Sequence, residues 1–266
     1  MKRERLDKAM VRREIVPSRA RAQEHIAKGE VFVNGLPANK PSTMVERGAD
    51  IKLQGERLPY VSRGGLKLEQ ALRSFDVPVQ DKRCVDVGAS TGGFTDCLLQ
   101  HGAKTVHAID VGYGQLAWKL RDDARVIVME RTNIRDVTDP TLMESFALAV
   151  IDCSFIGLDL VLPHVAPLLR LGGEVVALVK PQFEAGKDGV GKGGVVRDQS
   201  VREQAIQKVR DCAIELGFDI LAGEDCDTHG PSGNVEYLLY LRRTRRVRTD
   251  APADPSNPLP DIAAVE

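Results

Sequence analysis

Between residues 84 and 180 short, β-branched apolar runs alternate with helical stretches, and no other feature constrains the fold as much. Residues 84–87, 105–109, 126–129, 148–151 and 174–179 read as strands. Helical stretches are expected between them at 95–100, 115–121, 142–146 and 158–168. Strands that are apolar throughout have both faces covered, and helical crossovers make neighbouring strands parallel. The fold class is therefore α/β, a Rossmann-like doubly wound sheet. A longer helix follows at 200–216, with Val201, Ala205, Val209, Cys212 and Leu216 at helical spacing. Two further strand-like runs, 220–222 and 235–241, close the pattern.

The first sixty residues follow a different rhythm. Leu6, Ala9 and Met10 mark one short helix; Ser18 is a fitting N-cap and Gly29 a fitting stop for a second. Val31, Phe32 and Val33 then run into Asn34-Gly35, a strong hairpin signal. This predicts a small α+β domain over 1–58, a linker over 59–65 ending in a Gly pair, and the α/β domain over 66–243. The tail 249–266, rich in Pro, Ala and Asp, is expected to be disordered.

Net charge is −1, which argues against a nucleic-acid partner until its distribution is considered. Residues 1–63 hold fourteen Lys/Arg against eight Asp/Glu, the footprint of a module that meets a polyanion. The five cysteines contain no C-x-x-C pair, and the five histidines have no ligand spacing, so neither a disulfide framework nor a metal site is expected. The basic start has no apolar run after it, and no segment reaches the roughly 18 apolar residues of a spanning helix. These absences point to the cytoplasm and to no membrane partner.

Candidate chemistry collects at strand ends, which line the ligand crevice of an open α/β sheet. The loop after the first strand of the sheet reads Asp86-Val87-Gly88-Ala89-Ser90-Thr91-Gly92-Gly93-Phe94. Its glycines allow close backbone approach to a ligand, but its spacing is neither that of a dinucleotide fingerprint nor that of a phosphate-cradling loop. Gly92 is expected to leave room for the ligand's backbone. Asp110 ends the next strand, where a carboxylate takes the ribose hydroxyls of an adenosine cofactor. Asp152 and Lys180 end two later strands, Glu236 lies in the last, and Lys67 follows the Gly pair.

The Lys67, Asp152, Lys180 and Glu236 set, with these neighbours, resembles the FtsJ-type RNA ribose 2′-O-methyltransferases. The N-terminal pattern Arg5-Leu6-Asp7, Ser18-Arg19, Gly29 and Val33-Asn34-Gly35 is similar to the small RNA-binding module of a ribosomal protein and of pseudouridine synthases. Joined by SRGGLKL and with DVGASTGGFTD, VGYGQLAWKL, KPQFEAG and GGVVRD, the two together resemble the TlyA family, whose label also includes hemolysin. That resemblance implies a class I methyltransferase sheet, closed by an antiparallel strand pair, and S-adenosyl-L-methionine as cofactor. It further implies ribosomal RNA, free or in ribosomal subunits, as partner, with cytidine ribose as acceptor. The cofactor would meet Asp86, Gly88, Ser90, Thr91, Gly92, Gly93, Phe94, Asp110, Asn133 and Asp152. The wider class has an adenine-contacting acid after the third strand of the sheet; here that place is held by Glu130, Arg131, Thr132 and Asn133, a departure from that pattern. RNA would meet Arg3, Arg5, Ser18, Arg19, Arg21 and Lys40, and a basic Gly-rich flap over 182–197 carrying Lys187, Lys192 and Arg197.

A ribose hydroxyl is a weak nucleophile and needs a base as it attacks. A lysine serves only when neutral, which means displacing its usual pKa near 10.4 to roughly 7–8, about 3–5 kcal/mol. The resemblance implies Lys180 as that base; the residues themselves do not separate it from Lys67. The acids position the lysine and hydroxyl rather than activate them. Two rival readings make different demands: a membrane-active hemolysin calls for an amphipathic or spanning segment, and a non-catalytic RNA-binding or assembly factor for erosion of the four-residue set.

Overall fold

The computed structural model describes residues 3–34, 36–53, 58–186, 189–191, 193–230 and 233–245. The expected tail at 249–266, Lys187, Lys192 and Gly35 lie outside the described residues. The chain divides into two compact units, Met1–Leu58 and Pro59–Glu266.

In the first unit, strand β1 (Arg3–Arg5) leads directly into α1 (Leu6–Arg12), and α2 spans Arg19–Ala27. The Ser18 hydroxyl accepts from the Arg21 N–H and caps α2, while Gly29 takes the left-handed φ of 74° that ends it. Strands β2 (Val31–Val33), β3 (Leu36–Pro37), β4 (Met44–Glu46) and β5 (Ile51–Leu53) follow. β2 pairs antiparallel with β3 and β5, and β4 pairs with β1. Leu6, Ala9, Met10, Ala22, Ile26, Val31 and Val45 make the core. Leu6, Met10 and Ile26 are fully buried side chains, each contributing about 1.5–3 kcal/mol.

The second unit opens with helix α3 (Gly64–Ser74), which begins on the last two residues of the expected linker and which the sequence reading does not include. The expected linker is folded into this unit: Tyr60 is buried and the Val61 N–H donates to Asp96 Oδ2 at 2.8 Å. Leu68, Ala71 and Leu72, at i, i+3 and i+4, bury the helix's apolar face and were its legible signal. Next come β6 (Arg83–Val87), α4 (Gly93–Gln100), β7 (Thr105–Ile109), α5 (Trp118–Arg121), β8 (Val126–Met129) and β9 (Phe146–Ile151). Then follow α6 (Leu158–Val165), β10 (Leu169–Val179), α7 (Pro181–Glu184), α8 (Gln199–Glu215), β11 (Phe218–Asp225) and β12 (Tyr237–Arg243).

Two expected helices differ. Residues 142–146 form a turn, because Glu144 takes φ 50° and Phe146 already starts β9. The stretch 115–121 is helical only from Trp118, since Ala117 is extended and its N–H is held by the Thr91 carbonyl.

The seven strands order as β11-β12-β10-β9-β6-β7-β8, with β12 antiparallel to both neighbours. The chain winds both ways from β6, so the carboxyl ends of β6 and β9 flank the switch point where such sheets bind ligands. Alternation divides the core. Val175, Ala177 and Val179 face the α6 and α8 side, while Val176 and Leu178 face α3 and α4. Continuing that alternation by one residue sends Lys180 to the α3 side.

Candidate active site

The four expected catalytic residues come from four different elements. Lys67 lies on α3, Asp152 just past β9, Lys180 just past β10, and Glu236 just before β12. Register explains why they converge. Val179 pairs with Tyr237, so one step further along the antiparallel ladder Lys180 faces Glu236. Asp152 continues the Val150 face of β9 onto the same side of the sheet.

The four groups form two lysine–carboxylate pairs. Lys180 Nζ lies 2.6 Å from Asp152 Oδ1 and donates to Ser154 Oγ at 3.0 Å. Lys67 Nζ donates to Glu236 Oε2 at 2.5 Å. Lys67, Lys180 and Glu236 are buried, Glu236 to 1% exposure. Charges withdrawn from water this far persist only when paired, and here two cations balance two anions. Gln70 fixes α3, and so Lys67, to the edge of the sheet: its amide donates to Glu224 Oε1 and the Asp225 carbonyl and accepts from the Asp227 N–H, all at 2.9 Å.

The loop leaving β6 passes against this cluster. Gly88 has φ 84°, and a Cβ there would stand 2.7 Å from the Asp152 carbonyl oxygen, so only glycine fits. Gly92 also has a left-handed φ, but the space its Cβ would fill belongs to Leu120 and Leu116, not to a ligand. Phe94 is likewise a core residue at 3% exposure. Ser90 and Thr91 are exposed. The Ser90 N–H donates to Asp110 Oδ2 and the Gly112 N–H to Asp110 Oδ1, both at 2.7 Å. Thr132 N–H reaches the Asp110 carbonyl, bringing the segment after β8 beside this carboxylate. Asn133 there accepts from the Arg135 N–H, and Glu130 is held by Arg121.

Asp86 is fully buried. Its Oδ2 accepts from the Thr95 hydroxyl at 2.6 Å, while Oδ1 has no hydrogen-bond partner among the described residues. Burial raises its carboxyl to about 7, with Asp152 adding to the rise and the Thr95 bond opposing it.

Sequence reasoning gave no role to Ser154, Phe155 or Glu184. Phe155 is 83% exposed with φ 65°, a strained backbone for an aromatic residue, and its ring packs on Phe183 at 5.2 Å. The alternation rule finds buried aromatics; an exposed one at a strand end leaves no pattern to detect.

In the N-terminal unit, Arg5 and Arg19 meet around Asp7. This fully buried carboxylate accepts from Arg5 Nε and Nη2 at 3.0 Å, Arg19 Nη2 at 2.9 Å and Gln23 Nε2 at 3.3 Å. The Arg5 hydrogen bonds hold its carboxyl far below the usual range, with Arg19 and Gln23 adding to the effect. Both guanidiniums remain about half exposed, at 40% and 52%, and so are oriented without being consumed. Arg21 pairs with Glu24 at 2.8 Å and Arg3 with Glu46 at 3.6 Å; Lys40 is exposed. In the second unit the expected flap is partly pinned. Buried Asn234 donates to the Gly194 carbonyl at 2.8 Å and accepts from the Val196 N–H at 2.9 Å, next to exposed Arg197.

A family model described as FtsJ-like methyltransferase matches residues 60–243, and one described as S4 domain matches residues 4–51. The chain is 46% identical to the putative rRNA methyltransferase YqxC of Bacillus subtilis, over 90% of this chain and 86% of that one. It is 47% identical to the 16S/23S rRNA (cytidine-2'-O)-methyltransferase TlyA of Mycobacterium tuberculosis, over 91% and 90%. Among solved structures, a putative hemolysin from Streptococcus thermophilus superposes with a TM-score of 0.72 at 43% identity, covering 95% of this chain and 93% of that one.

Proposed function

The chain belongs to the FtsJ-like methyltransferases, in the TlyA family, and from that premise we propose that it methylates the ribose 2′-hydroxyl of cytidine in ribosomal RNA. The observation that carries this reading is the pair of buried lysine–carboxylate contacts at the carboxyl ends of β9 and β10 and the amino end of β12, beside the glycine loop of β6.

The cofactor is S-adenosyl-L-methionine, which supplies an electrophilic methyl group. The residues present fit it. The unpartnered Oδ1 of buried Asp86 offers an acceptor, the Gly88 turn a close backbone approach, and Asp110 a carboxylate for ribose hydroxyls. The segment at Asn133 would meet the adenine.

The protein's own residues handle the acceptor. Once it has released its own proton to water, neutral Lys180 takes the proton of the 2′-hydroxyl as that oxygen attacks. Asp152 and Ser154 are the two partners that position its Nζ. Lys67 and Glu236 form the neighbouring wall and compensate each other's charge, so the site stays near neutrality while a proton moves. The S4-type unit supplies RNA affinity through Arg3, Arg5, Arg19, Arg21 and Lys40, with Ser18 fixing the α2 end, and the 189–197 segment adds Arg197. The RNA partner is ribosomal RNA, free or in ribosomal subunits, met in the cytoplasm.

Hemolysin is the name given to two of the similar structures and to one of the relatives. Among the described residues no helix is long and apolar enough to cross a membrane, and no observation favours a lytic reading. Incubating the protein with labelled cofactor and ribosomal RNA, then digesting to nucleosides, tests the assignment. The expected product is 2′-O-methylcytidine; label on a base, or none in RNA, overturns it.

A further inference from the structure

Lys180 closes β10 and is the N-cap of α7, so whatever anchors this four-residue helix also sets where the amine stands. Its last residue, Glu184, is 6% exposed although ionisable. Glu184 Oε1 accepts from the Leu158 N–H at 2.8 Å, the first residue of α6. α6 in turn follows the turn at 152–157 that carries Asp152 and Ser154, the two partners of Lys180. One carboxyl therefore joins the segment bearing the amine to the segment bearing its partners. Phe183 adds an aromatic contact to Phe155 across the same junction.

Glu184 is built in at a cost. Its Oε2 is buried with no hydrogen-bond partner among the described residues. A Cβ placed on Gly157 would lie 3.1 Å from that oxygen and 2.3 Å from Asp159 Oδ1, so two carboxylates flank one glycine. Burial pushes the Glu184 carboxyl up to about 7; Asp159 on α6 adds to this, while the Leu158 bond and Lys208 on α8 oppose it. Lys208 bridges to Asp159 at 2.8 Å, and Cys212 also faces the group from α8. A residue needed only to fill this space would be apolar, since burying an acid with a bare oxygen is unfavourable.

We propose that Glu184 is a positioning residue for methyl transfer, holding the Lys180 amine in register with Asp152 and Ser154 by tying α7 to the start of α6. This rests on the assignment of Lys180 as the base. The test compares Glu184→Gln, which keeps an acceptor for Leu158, with Glu184→Met, which keeps volume but removes it. Single-turnover methylation of ribosomal RNA is followed from pH 6 to 10 at saturating cofactor, with cofactor affinity measured by calorimetry.

The Met variant should lose about tenfold or more in rate and shift the acid limb of the profile by about half a pH unit or more, with cofactor affinity unchanged. The Gln variant should restore the rate to within about threefold of wild type. A Met variant with a lowered melting temperature but a wild-type rate and limb would show a merely structural role and overturn the proposal. Should Met fail to fold, Glu184→Asp decides, because one methylene fewer withdraws the acceptor; a wild-type rate there likewise overturns it. Lys180→Ala run in parallel separates the two ideas. An active Lys180→Ala sinks the base assignment, whereas an inactive one beside a fully active Met variant sinks only the role of Glu184.

Discussion

Lys180 can be read as a base or as a clamp on phosphate and ribose, and the two roles differ in what they ask of its nitrogen. A base must be able to give up its proton and regain one; a clamp need only stay charged. Arginine satisfies the second demand and not the first, because a guanidinium remains protonated throughout the working range. Lys180→Arg is therefore expected to be nearly as inactive as Lys180→Ala in single-turnover assays, with cofactor binding intact in both. Arginine activity within about tenfold of wild type would move the base assignment to Lys67. The two lysines differ in their partners: Lys180 has a hydroxyl and a carboxylate, Lys67 one carboxylate at 2.5 Å.

Among the elements, the short α5 and the glycine loop explain each other. Leu116 and Leu120 seat against the bare Cα of Gly92, and Ala117 bonds to Thr91, so the loop after β7 fastens the loop after β6. Gly92→Val should thus act first on stability. It forces a branched side chain into a left-handed φ and against two leucines, at a cost of about 2–4 kcal/mol. The expected result is a melting temperature several degrees lower, with cofactor affinity weakened in proportion to loop disorder. Unchanged thermal stability with abolished cofactor binding would mean that the side chain enters the ligand's space instead.

For the whole molecule, two buried acids give stability a pH dependence of definite sign. Asp86 and Glu184 both have folded pKa values raised to about 7, well above those of the unfolded chain. The folded state therefore holds these protons more tightly. The associated stability is complete below pH about 4, falls as pH rises towards 7, and is gone above it. Glu184→Gln should remove its share, at most about 3 kcal/mol, so wild type should lose ground to this variant between pH 5 and 7.5 in paired melting curves. A constant gap would count against the burial account. Charge is also unevenly distributed over the chain, and the basic N-terminal unit should dominate RNA affinity. Arg19→Gln is expected to weaken ribosomal RNA binding and make its log–log salt dependence shallower by about 0.7–0.9, as the loss of one phosphate contact requires. An unchanged slope would confine Arg19 to its Asp7 contact.

By itself the sequence determined whatever depends on local period and special residues. The parallel strands showed in apolar runs at 84–87, 105–109 and 126–129, the N-terminal helices in the cap Ser18 and the stop Gly29, and the glycine loop in its spacing. It also marked Asp152 and Lys180, because ionisable residues at strand ends break an apolar pattern, with Glu236 in the last strand and Lys67 after the Gly pair. What it did not contain was anything set by long-range register or packing. That Lys180, Asp152, Glu236 and Lys67 converge follows from the β9–β10 and β10–β12 pairings and from the docking of α3, whose first residues looked like a linker because Gly-Gly signals a turn locally. Gly92 carries the same letter whether it makes room for a ligand or for Leu120, and Glu184 the same charge whether it faces water or a buried helix start. Those distinctions belong to neighbours distant in sequence, and only the packed structure supplies them.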